Sequence, residues 1–142
     1  MPPPADLLAL ARAIATKRAL DPSLVCAVVE QESGWDTHAI RYEPGFRARY
    51  VEPLGLPPTE EAARAMSWGL MQVMGQVARE HGFAGKFLST LCDPATGLAV
   101  GCGVLESKLA SAQYDISRAL ELWNGGANPD YATEVLVRRA HY

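Results

Sequence analysis

The chain holds little that would support metal or redox chemistry. Its three cysteines, Cys26, Cys92 and Cys102, form no CxxC pair, and His38, His81 and His141 are scattered, so neither a zinc knuckle nor an HExxH helix can be drawn. The thiols read as reduced cysteines packed like small hydrophobes rather than as a Cys92 to Cys102 disulfide. Excess positive charge is missing too. A formal charge of -3 leaves no basic footprint, and Arg138 with Arg139 is too small a cluster to make one, which disfavours nucleic acid as a partner. No apolar run approaches the ~20 residues that a membrane helix needs. The N-terminal MPPPADLLALARAIATKRAL lacks a signal peptide's order of parts, because Asp6, Arg12, Lys17 and Arg18 interrupt its apolar residues. The expectation is a protein made in the cytoplasm with no export signal of its own.

What is present fits one ordinary domain spanning residues 1–142, with 49% hydrophobic residues and enough length to bury a core without staples. Alanine-rich periodic segments separated by Gly, Pro and Asp predict an all-α fold, and no alternating strand pattern stands out. Helices are expected at Ala5 to Ala19; from Asp21 as N-cap with Pro22 at the first position to about Ser33 and Gly34; at Thr59 to Met66; at Gly69 to His81, closed by Gly82; at Asp93 to Ala110; at Asp115 to Trp123; and at Pro129 to His141. Between Asp36 and Pro58 the pattern breaks into a long loop rich in Pro and Gly, and long loops within domains are usually functional.

The stretch VVEQESGWD, Val28 to Asp36, sets two glutamates at the end of an apolar helix. Counting about 100° per residue from Leu24, Val28 falls at about 40°, Val25 at about 100° and Val29 at about 140°. Glu32 falls at about 80°, in the middle of that face, and Glu30 at about 240°, on the opposite and solvated side. Periodicity leaves two readings of Glu32 open. Either it lies past the last ordered turn and points into water, or it is a partly buried carboxyl at the negative end of a helix. In the second case both burial and the helix dipole raise its pKa toward that of a general acid for glycosidic bonds.

Three further stretches are individually unspecific. SWGLMQVM, Ser67 to Met74, places Met71 and Gln72 just inside an expected helix start, and Met74 has ordinary core spacing. LWNGGANPDYATEV, Leu122 to Val135, reads as a helix ending at Asn124-Gly125-Gly126 and another starting at Pro129, with Tyr131 in its first turn. CDPATGLAVGCGVL, Cys92 to Leu105, reads as a helix with Pro94 at its first position.

In this order, ESGW, SWGLMQ, LWNGG and a tyrosine followed four residues on by valine resemble the motif series of the soluble, SLT-like lytic transglycosylases, over Glu32 to Val135. The resemblance implies a lysozyme-like (goose-type or SLT-like) helical domain acting on peptidoglycan glycan strands, as a monomer and without a cofactor. It implies that Glu32 is the single catalytic acid/base, that Ser33 helps hold the groove around it, and that Met71 and Gln72 line the glycan site. Asn124 matches the asparagine that contacts substrate near the cleavage point, and Tyr131 the tyrosine whose hydroxyl approaches the catalytic glutamate. The sequence departs from the family pattern in three places. Trp123 stands where tyrosine is usual, keeping an aromatic wall for a sugar but lacking the hydroxyl. Gly97 replaces an asparagine. The Asp36 to Pro58 loop exceeds the usual spacer, and its AIRYEPGFRARYVEP is similar to an insertion in some phage muramidase-like proteins, which suggests phage or prophage origin. Glu43 and Glu52 within it are either solvated loop charges or a second carboxylate over the groove. Three functions follow: a transglycosylase, a hydrolytic muramidase pairing Glu32 with Glu43, and a non-catalytic glycan-binding or virion module.

Overall fold

The computed structural model describes residues 2–142. Helix α1, Ala5–Lys17, buries Ala11 and Ala15 against α2, Pro22–Ser33. The Asp21 carboxylate accepts a hydrogen bond from the Ser23 amide, Pro22 fills the first turn and Gly34 ends the helix in the left-handed region at φ 58. Between these caps Leu24 to Val29 are all buried, so α2 is apolar on every side, as a central strut must be. The second strut is α6, Pro94–Ser111, whose Asp93 cap accepts from the Thr96 amide and which buries Leu98, Cys102, Val104, Leu105 and Leu109. Helix α7, Ile116–Asn124, lies against α6, and α8, Tyr131–Arg139, packs against both α2 and α7. The all-α expectation holds for the body of the domain. No helix among the described residues is long and apolar enough to cross a membrane.

The exception is a small antiparallel sheet in the order β1-β2-β3, formed by β1 Ile40–Tyr42, β2 Met66–Trp68 and β3 Val73–Met74. Ile40 pairs with Trp68, and Ser67 with Met74. This corrects the expected helix over Gly69 to His81: only Gly75–Glu80, α5, is helical there. Leu70, Val73, Met74 and Val77 mimic helical spacing. The backbone cannot follow it, because Gly69 and Gln72 sit in the left-handed region at φ 69 and φ 51 and turn β2 into β3. A Cβ at Gly69 would also lie 2.6 Å from the Leu91 carbonyl oxygen.

The long Asp36 to Pro58 segment is likewise more ordered than its composition suggests. After β1 it forms a short helix, α3, Pro44–Phe46, one π turn over Arg47–Val51 and a 3-10 turn over Glu52–Leu54. Val51 is buried, the Phe46 and Tyr50 rings lie 4.9 Å apart, and Arg47 donates to Glu61 of α4, Pro58–Arg64, at 2.8 Å. Glu60 of α4 receives Arg64 at 2.9 Å and Arg79 of α5 at 2.8 Å, which ties the insertion to the body.

All three cysteines are free thiols. Burial pushes Cys26 up to about 11 and Cys102 up to about 12, so both stay protonated and inert at neutral pH.

Gly97 lies in the first turn of α6, where a Cβ would press into the Leu91 carbonyl of the 3-10 turn Leu88–Cys92. No side chain fits without moving that backbone. Gly97→Ala is therefore expected to destabilise the fold by about 1–3 kcal/mol through overpacking. Gly103→Ala on the same helix, where a Cβ meets only the Arg18 guanidinium at 3.4 Å, should be neutral or stabilising by about 0.5–1 kcal/mol. Urea midpoints of the two variants measure the contrast.

Candidate active site

Glu32 occupies the last turn of α2, where the helix emerges from the core, and is only half-exposed. Two donors from the far end of the chain meet it. The Tyr131 hydroxyl donates at 2.6 Å and the Trp123 indole Nε1 at 3.0 Å, both to Oε1. Among the described residues no protein donor engages Oε2. Burial raises the Glu32 pKa above the ordinary carboxylate value, and the Tyr131 and Trp123 hydrogen bonds, which favour the ionised form, offset only part of that rise. Tyr131 is itself buried, and burial followed by the adjacent Glu32 charge drives its pKa far above the ordinary phenol value. It stays a donor.

Trp123 thus supplies a hydrogen bond to Glu32 although it has no hydroxyl to give. Its N–H can only donate, so Oε1 must remain an acceptor in both ionisation states of Glu32. A proton on Glu32 therefore sits on Oε2.

Glu30 does not face open solvent as the helical wheel suggests. The C-terminal end of α8 covers it: Arg138 Nη1 pairs with Oε2, and the Tyr142 hydroxyl donates to Oε1 at 2.9 Å. Burial opposes its ionisation, but the hydrogen bonds from Arg138 and Tyr142 and the Arg138 charge prevail and leave its pKa below the ordinary value. Arg138 also donates to Gln31 at 2.7 Å, and Gln31 donates to Glu134 at 2.7 Å. Trp35 donates to the Tyr142 hydroxyl at 3.0 Å. These bonds fix α8, and with it Tyr131, against the helix that carries Glu32.

Glu32 opens into a groove of about 490 Å³ that Gln72, Trp123 and Asn124 also line. The Gln72 amide is largely committed to the fold. Nε2 donates to the carbonyls of Ala39 at 2.8 Å and Gly69 at 2.9 Å, while Oε1 accepts from Ser67 at 2.8 Å. Gln72 therefore knots β1 to the hairpin and retains one acceptor lone pair for a ligand. Asn124 donates to the Asn128 carbonyl at 3.3 Å, which leaves its own carbonyl oxygen available to the groove.

Three predicted residues lie behind the wall rather than on it. The Ser33 hydroxyl reaches the Leu70 carbonyl at 2.8 Å and fastens the end of α2 to the hairpin. Met71, 1% exposed, is a core residue whose side chain fills the space above Gly101 and does not line the groove. Tyr131, 4% exposed, stands behind Glu32. Glu43 does line the groove, but Arg41 binds it at 2.8 Å. Glu52 lies exposed on the 3-10 turn and is not part of the lining.

Sequence reasoning missed Arg41, Val104 and Lys108, which also line the groove, and read Met74 as core although it is half-exposed there. Alternation within Ile40–Tyr42 could have hinted that Arg41 faces away from its neighbours. Nothing in the sequence around Lys108 marks it.

A pKa raised in the folded state makes ionised Glu32 a liability for stability. Its favourable contribution is complete below the unfolded-state pKa and is lost as pH rises through the folded-state value. Glu32→Gln, which stays neutral and can still accept from Tyr131 and Trp123, should therefore melt above the wild type at pH 8. The gap should close as pH falls into the ordinary carboxylate range, as calorimetry at a series of pH values would show.

Among the described residues no group of three His, Cys, Asp or Glu side chains could hold a metal ion. Comparison with known proteins gives one positive result. The sequence model of the transglycosylase SLT domain matches residues 9–136, which takes in both struts, the sheet, the groove, α7 and the first part of α8. No match emerges from the curated proteins or the solved structures. Members of the matched family are peptidoglycan-degrading glycosidases with an all-α, lysozyme-like domain, and the glutamate, its aromatic donors and the groove all fall inside the match. The chain belongs to the SLT transglycosylase domain family.

Proposed function

We propose that the domain is a lytic transglycosylase that cleaves the β-1,4 bond between N-acetylmuramic acid and N-acetylglucosamine, with Glu32 as its only acid/base. The observation that carries this reading is the state of Glu32: a carboxyl with a raised pKa at a groove wall, its Oε1 occupied by Tyr131 and Trp123 and its Oε2 unengaged. Protonated Oε2 donates to the leaving glycosidic oxygen. The resulting carboxylate is stabilised at once by the same two donors, which hold their positions and need no reorganisation. It then takes the proton from the C6 hydroxyl of the muramic acid as that hydroxyl attacks C1. The product is a 1,6-anhydro sugar, and one group has acted in turn as acid and base.

A hydrolytic muramidase with Glu43 as the second carboxylate is the alternative, favoured only by the presence of Glu43 in the same groove. Its ion pair with Arg41 weighs against it, because a carboxylate oxygen engaged by a guanidinium is not free to reach a water or the sugar. Without a free second carboxylate to activate water, the internal hydroxyl has the advantage of proximity. A non-catalytic glycan-binding module has no use for a carboxyl with a raised pKa.

Mass analysis of muropeptides released from purified peptidoglycan separates the two enzymes. The transglycosylase gives anhydro ends, lighter by one water than hydrolytic products and resistant to borohydride. Glu32→Gln should abolish release, while Glu43→Gln should leave the product unchanged. Reducing ends, lost in Glu43→Gln, would make the protein a two-carboxylate muramidase.

Tyr131→Phe removes the shorter of the two hydrogen bonds to Oε1 and should lower turnover about 10²-fold with little change in KM. A steady-state comparison of kcat and KM on soluble glycan strands checks this.

A further inference from the structure

Three of the groove's four ionisable lining groups have partners within the protein, and one does not. These groups are Glu32, Arg41, Glu43 and Lys108. Arg41 and Glu43 pair with each other at 2.8 Å, and Glu32 is held by the Tyr131 hydroxyl and the Trp123 indole. This leaves Lys108, half-exposed on the inner side of α6, one turn after the groove residue Val104. Its helical neighbours at three and four residues' distance are Val104, Leu105, Ser111 and Ala112, none of them acidic, and among the described residues no carboxylate lies within ion-pair distance. The groove thus presents one cation with no ion-pair partner among the described residues.

We infer that Lys108 is a specificity-determining residue that binds a carboxylate of the substrate. This rests on the peptidoglycan reading above. The sugar rings are neutral and offer an ammonium group only hydroxyls and acetamido oxygens. The substrate's carboxylates are of two kinds: those of the peptide stem, where a stem is attached, and that of the lactyl ether of muramic acid, which is free only where the stem has been removed. Both supply the anion that a partly desolvated ammonium needs, and a charge-assisted hydrogen bond of this kind is stronger than a neutral one.

The test compares wild type, Lys108→Gln and Lys108→Arg on three preparations of soluble glycan strands. The first carries peptide stems, the second has been stripped by an amidase so that each lactyl carboxylate is free, and the third is the first with all carboxylates converted to amides. Lys108→Gln is expected to raise KM about tenfold on a carboxylate-bearing preparation and to leave KM unchanged on the amidated strands, with Lys108→Arg restoring much of the loss. A loss confined to the first preparation assigns the peptide stem. One seen on stripped strands assigns the lactyl carboxylate. Unchanged KM on both, or an equal loss on amidated strands, overturns the inference. Calorimetric binding of the same strands by Glu32→Gln and by the Glu32→Gln, Lys108→Gln double variant reads the Lys108 contact without turnover. Absence of cleavage by wild type would count against the proposed reaction, and equal binding by these two variants against the role of Lys108.

Discussion

One carboxylate oxygen joins the two ends of the domain. Oε1 of Glu32 accepts from Trp123, 91 residues downstream, and from Tyr131, 99 residues downstream. Everything else in the site depends on this pair of bonds, because they decide where a proton on Glu32 can reside. Two donors on one oxygen turn the other toward the groove. They also favour the ionised form, so burial can raise the pKa without making that form inaccessible.

The remaining polar structure keeps that geometry rigid. Behind α2, Glu30 and Gln31 are bound to Arg138, Tyr142 and Glu134, so the helix carrying Tyr131 cannot slide along the helix carrying Glu32 without breaking charge-assisted bonds. In front, Ser33 fastens the same helix end to the Leu70 carbonyl, and Gln72 gathers Ala39, Gly69 and Ser67 into one knot. Glu32 is thus fixed from both sides, although its own side chain contributes only an acceptor. Gln72 holds its knot at φ 51, outside the regions most residues prefer, as is common where a fold places a group for function.

Local signals made much of this legible in the sequence. Asp21, Asp93 and Asp115 each cap the helix they announce, Gly34 and Gly125 each end one in the left-handed region, and the wheel put Glu32 on the side of Leu24, Val25, Val28 and Val29, although α2 is buried all round over that stretch. What the sequence could not disclose is where distant segments return. The same wheel placed Glu30 in water because it contains no α8, and Trp123 looked like the loss of a hydroxyl because its indole N–H has meaning only beside Glu32. Ser67 to Met74 was ambiguous for another reason. Apolar spacing of three and four suits a helix and also a hairpin whose residues alternate with a turn, and only the left-handed backbone at Gly69 and Gln72 separates them. Lys108 carried no signal, since an isolated lysine on a helix reads as solvated until the opposite wall of a groove is known.

The central claim is that the fold shifts two neighbouring glutamates in opposite directions, raising the pKa of Glu32 and lowering that of Glu30. A carbon-13 NMR titration of the side-chain carboxyls of Glu32 and Glu30 in the intact domain tests it directly. The account predicts that Glu32 titrates above the ordinary carboxylate range and Glu30 below it, with both signals returning to ordinary values in denaturant. A Glu32 that titrates at or below the ordinary value in the folded domain would contradict it.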